Sequence, residues 1–131
     1  MTIETGGLHH IAIRVTDLAR AKQFYTVTLG FPQVLETAEL FLCNASGTII
    51  AVRGPEPETA AAGRFDPHRV GLDHIALTVP TVDALAGLRQ QLEAAGVPNN
   101  GVERDALTGA TYISFYDPDG IAWELYVSAP R

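Results

Sequence analysis

Two stretches of the sequence repeat the same pattern of residues. Gly7–Val15 reads GLHHIAIRV, and Gly71–Val79 reads GLDHIALTV, at a constant offset of 64 positions. Both begin with Gly-Leu, place a histidine fourth and then run largely apolar to a valine. A repeat at such a spacing indicates one structural unit present twice. His10 and His74 hold matching positions, so symmetric packing of the two units predicts that these histidines face each other.

The first unit shows the pattern of a strand, a helix and three further strands. Leu8–Val15 alternates between two faces, which predicts a strand. Thr16-Asp17 offers a helix N-cap, and the apolar residues that follow recur at three- and four-residue steps up to Gly30, a typical C-cap. The three predicted strands that follow are Gln33–Thr37, Glu39–Cys43 and Thr48–Arg53.

The second unit repeats this order. Leu72–Val79 is a predicted strand, Thr81 a predicted N-cap, and Gly96 marks the end of the predicted helix. The closing strands are predicted at Val102–Asp105, Thr111–Tyr116 and Ala122–Val127. We therefore expect a single domain over residues 1–131, with module one at 6–54, a Pro- and Ala-rich linker at 55–70 and module two at 71–131.

The predicted fold class is α+β, with paired βαβββ modules. In each module the apolar stripe of the helix covers one face of its sheet and leaves the other face free. Two such sheets placed side by side would form a half-open curved sheet, with both free faces lining a trough for a metal and a substrate.

Composition narrows the possible partners and compartment. A formal net charge of −6 with scattered basic residues argues against a nucleic-acid surface. No apolar run approaches the ~18 residues of a membrane span, and the N-terminus lacks the features of a signal peptide. Cys43 is the single cysteine, which excludes an intrachain disulfide and is more typical of a core residue than of a nucleophile. We expect a cytoplasmic protein with a small-molecule substrate, without nucleic-acid or membrane partners.

Three side chains form the strongest candidate site. Strand alternation turns His10 and His74 away from the helix-facing Ile, Leu and Val residues. Trp123 and Leu125 share one face of the last strand, so Glu124 lies on the other. A carboxylate within such an apolar run costs several kcal/mol unless something pairs with it. Two histidines and one carboxylate form a triad that leaves coordination positions of a metal open.

Less specific interpretations of the same residues stay open. A single inward-facing histidine is more often a hydrogen-bonded core residue than a ligand, and a glutamate on an edge strand commonly faces water. The coincidence of all three on matching faces favours the metal site. His9, whose counterpart in the repeat is Asp73, and His68 in the linker are predicted to be non-ligands.

Arg14, Tyr112 and Tyr126 are the predicted substrate-orienting residues. Arg14 shares a strand face with His10, and Tyr126 shares one with Glu124. A slip of one residue in either strand would reverse these assignments.

The chain resembles the vicinal oxygen chelate superfamily, which contains glyoxalase I, bleomycin-resistance proteins, fosfomycin-modifying enzymes and extradiol dioxygenases. The resemblance covers nearly the whole chain and implies a homodimer with one divalent metal, with Fe, Mn, Ni, Zn and Co not distinguished. Carried over by position, it implies His10, His74 and Glu124 as metal ligands, with Glu124 also catalytic. The motifs that carry it are LHHIAI at 8–13, Phe24-Tyr25 with LGF at 29–31, DHIA at 73–76, and DPDG at 117–120 followed by Glu124.

Two departures from the family pattern narrow the expected activity. Ala51 stands where the four-ligand glyoxalase I pattern has a second carboxylate, and Ser114 stands where the extradiol pattern has a tyrosine. We therefore predict a small metal-dependent enzyme with isomerase, lyase or thiol-transfer chemistry. The alternative is a metal-free drug- or metabolite-binding protein of the bleomycin-resistance type, and a third possibility is a structural or regulatory dimer.

Overall fold

The computed structural model describes residues 1–127, which divide into two units between Gly63 and Arg64. This division lies inside the predicted linker. The last part of predicted module two, residues 128–131, lies outside the described residues. Within residues 1–127, no helix has the length and apolar character needed to cross a bilayer.

The first unit contains one four-stranded sheet and one short helix. Its strands are ordered β1-β4-β3-β2, with β1 parallel to β4 and the other pairs antiparallel. The elements are β1 (His10–Arg14), α1 (Leu18–Lys22) continued by a π-helical segment (Gln23–Thr28), β2 (Gln33–Glu36), β3 (Leu40–Ala45) and β4 (Thr48–Arg53).

The second unit has the same topology. Its strands are ordered β5-β8-β7-β6, with β5 parallel to β8 and the other pairs antiparallel. The α+β class and the repeated βαβββ order predicted from the sequence are thereby confirmed. The elements are β5 (Ile75–Thr78), α2 (Val82–Ala94), β6 (Asn99–Arg104), β7 (Thr111–Tyr116) and β8 (Ala122–Val127).

The predicted helix caps are present in both units. The Asp17 side chain accepts a hydrogen bond from the backbone N of Arg20, and the Thr81 side chain accepts one from that of Ala84. Gly30 and Gly96 both have positive φ, 74° and 69°, where L side chains are strained. The sequence signals for the start and end of both helices are therefore confirmed.

The first helix differs from the continuous α-helix predicted by its apolar spacing. It changes to π-helical hydrogen bonding at Gln23, and the backbone N of Leu29 donates to the carbonyl of Phe24 at 2.9 Å. The change coincides with two adjacent aromatic rings, Phe24 and Tyr25, which are both buried.

Each sheet has one face packed in the core of its unit. In the first unit the buried face includes Ile13 and Val52, which are register partners. In the second unit α2 contacts β6 and β7 and buries Leu85 and Leu92. The sheet residues buried in the second unit are Ile113, Phe115, Trp123 and Leu125.

Cys43 belongs to the core of the first unit. Its side chain is fully buried, and this loss of solvent raises the pKa of the thiol from 9.0 to about 11. A buried thiol that stays protonated is a poor nucleophile, as the sequence predicted.

Cys43 is therefore expected to resist alkylation while the protein is folded. The raised pKa alone lowers the thiolate fraction at neutral pH by about 100-fold, and burial slows the reaction further. Mass spectrometry after iodoacetamide treatment at neutral pH measures the rate in native protein and in urea. The native rate should rise as the pH approaches 11, and equal rates in buffer and urea would contradict the burial.

Candidate functional site

Glu124 is positioned by its place in the central strand β8. It pairs with Ala76 of β5 on one side and with Ser114 of β7 on the other. Its neighbours Trp123 and Leu125 are buried on the helix-covered face, so the Glu124 side chain lies on the opposite face. This side chain is only 18% exposed.

His74 lies beside Glu124 in the second unit. It immediately precedes β5, which begins at Ile75, three residues later than the predicted start of this strand at Leu72. The His74 Nε2 atom is 3.6 Å from the Glu124 Oε1 atom. On the other side of the ring, Nδ1 lies 2.7 Å from Oδ1 of Asp73. The imidazole thus has one nitrogen engaged by a carboxylate and the other directed at Glu124.

The His74–Glu124 pair fits a divalent cation. At 3.6 Å the two atoms are too far apart for a good hydrogen bond. Two ligand atoms that each bind one metal ion at ~2.1 Å are separated by roughly 3.0–3.4 Å, which is close to this distance. An imidazole nitrogen with a carboxylate oxygen is also a donor set that Zn, Ni, Co, Mn and Fe accept.

His10 lies in the first unit, as the first residue of β1. Its side chain is on the same strand face as Ala12 and Arg14, away from the buried Ile13. The Nδ1 atoms of His10 and His9 are 2.8 Å apart, and the two rings are nearly perpendicular. The Nε2 atom of His10 has no hydrogen bond to a residue within 1–127.

The structure brings together two of the three predicted ligands within one unit. In neither unit do residues 1–127 group three His, Cys, Asp or Glu side chains closely enough to hold a metal ion.

The registers confirm the match of Ala51 to Glu124. In the first sheet Ala51 pairs with Ala12, and in the second sheet Glu124 pairs with Ala76, the counterpart of Ala12 in the repeat. The first unit thus carries a methyl group where the second carries a carboxylate.

Tyr112 and Tyr126 form a stacked pair on the Glu124 face. Their rings are 4.7 Å apart and nearly parallel. The Tyr112 hydroxyl donates to Glu103 and the Tyr126 hydroxyl donates to Asp105, each at 3.0 Å.

Both phenols are held in the protonated form. The hydrogen bond to Glu103 is the main cause that raises the pKa of Tyr112. Removal from solvent, followed by the hydrogen bond to Asp105 and the nearby charge of Glu124, raises the pKa of Tyr126 well above its ordinary value. Neither hydroxyl is suited to act as a base near neutral pH.

Arg14 is already engaged within the first unit. Its guanidinium donates to the carbonyl of Gly54 at 2.8 Å and lies 3.1 Å from Oε1 of Glu56. These contacts join the end of β1 to the segment that follows β4. A guanidinium has five N–H donors, and these contacts use only part of them. The remaining donors are compatible with the predicted role of Arg14 toward a substrate.

Sequence reasoning gave no role to four polar residues that touch the candidate side chains. Asp73 and His9 had a usable signal, since each directly precedes a candidate histidine at matching positions of the repeat. Glu103 and Asp105 had none, because strand pairing of β6 with β7 and the turn after β6 bring them to the tyrosines.

Comparisons with known proteins agree with this architecture. A family model described as the glyoxalase/bleomycin resistance protein/dioxygenase superfamily matches residues 7–125. The uncharacterized protein YwkD of Bacillus subtilis is 34% identical over 128 residues, covering 91% of this chain and 94% of YwkD.

Solved structures of low sequence identity share the fold. A glyoxylase/bleomycin resistance protein/dioxygenase domain from Frankia has a TM-score of 0.83 at 23% identity. The match covers 96% of this chain and 100% of the Frankia domain. The fosfomycin resistance protein FosX from Listeria monocytogenes has a TM-score of 0.75 at 19% identity, covering 96% of both chains. At these identities the likeness concerns the fold alone.

The tyrosine pair generates a prediction about Asp105. The substitution Asp105→Asn removes a negative charge beside the Tyr126 hydroxyl, so the pKa of Tyr126 should fall. It should stay above the ordinary tyrosine value, because removal from solvent is the larger cause. NMR titration of the assigned ring carbons measures this. The matched variant Glu103→Gln should lower mainly the pKa of Tyr112, and equal effects of both variants on both rings would contradict the pairing.

Proposed function

Because the chain belongs to the glyoxalase/bleomycin resistance protein/dioxygenase superfamily, we propose that it is a metal-dependent enzyme acting on a small organic molecule. The observation that carries this proposal is the largely buried Glu124 carboxylate facing Nε2 of His74 at 3.6 Å. An unpaired carboxylate in such a place is costly, and a shared cation offsets that cost.

His10 is the proposed third ligand. Its support is its position in the repeat, which matches that of His74, together with its exposed side chain, whose Nε2 atom has no hydrogen bond to residues 1–127. A divalent metal bound by these residues would polarise an oxygen of the substrate and stabilise the negative charge that develops there.

Glu124 is the proposed catalytic residue. Its Oε1 atom faces His74, and the second oxygen of the same carboxylate is an additional proton acceptor. Isomerase, lyase and thiol-transfer reactions share this need to move a proton or stabilise an oxyanion.

Tyr112 and Tyr126 are proposed to orient the substrate with their ring surfaces. Their hydroxyls are committed to Glu103 and Asp105, which holds the stacked rings in place on the Glu124 face. Arg14 is proposed to orient a substrate oxygen through N–H groups that do not contact Gly54 or Glu56. The absence of a carboxylate at Ala51 supports a three-ligand site over the four-ligand arrangement of glyoxalase I.

Metal binding by Glu124 is the decisive test. Loss of a residue that only hydrogen-bonds a metal ligand already lowers metal affinity by roughly 10–100-fold, so Glu124→Gln should lower it by more than about 100-fold. Calorimetry of chelator-stripped protein with Mn²⁺, Co²⁺, Ni²⁺ and Zn²⁺ measures the affinity. Glu103→Gln is the matched control, because it neutralises another carboxylate in the same unit and should keep the wild-type affinity.

A wild-type chain that takes up none of these ions would contradict the proposal. It would leave the metal-free drug- or metabolite-binding protein as the better interpretation. Unchanged affinity in Glu124→Gln would instead place any bound metal at another site.

We also propose that the protein is a homodimer, as the family resemblance implies. Analytical ultracentrifugation should give twice the chain mass of 14.0 kDa. Mixing the His10→Ala and Glu124→Ala variants then tests where the third ligand originates. Metal binding recovers in the mixture if His10 of one chain serves Glu124 of the other, and stays absent if each site uses a single chain. A monomer at all concentrations would contradict the homodimer.

A further inference from the structure

The residue before each candidate histidine makes the same contact in both copies of the repeat. The Nδ1 atoms of His9 and His10 are 2.8 Å apart, and Oδ1 of Asp73 is 2.7 Å from Nδ1 of His74. Both contacts join sequence neighbours at equivalent positions. In each case the engaged atom is Nδ1, so the Nε2 atom is left on the outer edge of the ring.

At His74 this contact fixes the position of the ring proton. A carboxylate only accepts hydrogen bonds, so Nδ1 of His74 must carry the proton that it donates to Asp73. In the neutral ring, Nε2 then has a free lone pair, and this is the atom that faces Glu124. Without Asp73, neutral histidine in water favours the opposite tautomer, with the proton on Nε2.

At His10 the partner imposes a weaker choice. A neutral imidazole can donate or accept through Nδ1, depending on its own tautomer. When His9 accepts, His10 has its proton on Nδ1 and a lone pair on Nε2. When His9 donates, the proton of His10 moves to Nε2 and no lone pair is presented there.

We propose that Asp73 and His9 are positioning residues that hold the ring protons of His74 and His10 on Nδ1, so that both Nε2 atoms are presented as ligands. Asp73 always holds the proton of His74 on Nδ1, because a carboxylate only accepts hydrogen bonds. His9 holds the proton of His10 on Nδ1 only in the tautomer in which its own Nδ1 accepts. The tautomer part of the proposal stands on the contacts of the metal-free chain, and its effect on metal affinity rests on the proposed function.

The tautomers are measured directly by NMR of the metal-free protein. Long-range ¹⁵N–¹H spectra distinguish protonated from unprotonated ring nitrogens, and a series recorded at increasing pH ends in the spectrum of the neutral rings. Wild-type His74 should show the proton on Nδ1. Asp73→Ala should move it toward Nε2, and Asp73→Asn should keep it on Nδ1, because the amide oxygen still accepts.

The role of His9 is tested by replacing it with aspartate, the residue that precedes His74 in the second copy of the repeat. His9→Asp supplies an obligatory acceptor and should hold the proton of His10 on Nδ1, whereas His9→Ala should release it toward Nε2. A proton on Nε2 of His74 in the wild type would overturn the proposal for Asp73. A proton on Nε2 of His10 in the wild type would overturn it for His9, and so would identical His10 spectra in His9→Asp and His9→Ala.

Metal affinity supplies an independent readout. Asp73→Ala should weaken binding by roughly 10–100-fold, and Asp73→Asn should recover most of that loss. Glu58→Ala is the matched control, because Glu58 is an exposed acidic residue outside the site and should not change the affinity. Equal affinities of Asp73→Ala and Glu58→Ala would overturn the effect on metal binding.

The two proposals fail in different ways. Absence of metal uptake by the wild type refutes the proposed function but leaves the tautomer result to decide the role of Asp73 and His9. Thermal unfolding of each variant separates loss of positioning from loss of structure. Both side chains are exposed, so the melting temperatures should stay close to that of the wild type.

Discussion

Strand β8 is hydrogen-bonded along both edges, to β5 on one side and to β7 on the other, and this pairing decides which of its side chains face the candidate site. Burial of Trp123 and Leu125 against the core leaves Glu124 on the opposite face. The turn before β8 fixes the register, because Oδ1 of buried Asp117 accepts hydrogen bonds from the backbone N of Asp119 and of Ile121. A shift of one residue would place Glu124 in the apolar core, where an isolated charge costs several kcal/mol.

The sheet face that carries Glu124 also carries other polar side chains, which the stability of the sheet alone does not require. Glu124 is largely buried, and the tyrosine pair beside it is held by two further carboxylates. The hydrogen bonds to Glu103 and Asp105, together with the nearby charge of Glu124, raise the pKa values of the two phenols and keep them protonated. Polar groups gathered in this way are common at functional sites, and a cation beside Glu124 would compensate its negative charge.

The sequence predicted the parts of this structure that follow from local periodicity. Alternation in the strands placed Trp123 and Glu124 on opposite faces, and Asp17 and Thr81 marked the helix starts. It did not predict the π-helical segment Gln23–Thr28, because the spacing of its apolar residues does not distinguish it from a continuous α-helix. Nor did it predict the hydrogen bond of Tyr126 to Asp105, because those residues are 21 positions apart and meet only through sheet pairing.

The two halves of the repeat have kept one geometry and diverged in chemistry. Equivalent positions hold Ala51 and Glu124 in the sheets, and His9 and Asp73 before the candidate ligands. On the proposed assignment, the second half supplies two ligands, one of them with its tautomer fixed by a carboxylate. The first half supplies one ligand, held by an imidazole partner that accepts or donates. A site built this way would owe most of its metal affinity to the second half, because two ligand atoms already lie 3.6 Å apart there and the ring proton is held on Nδ1.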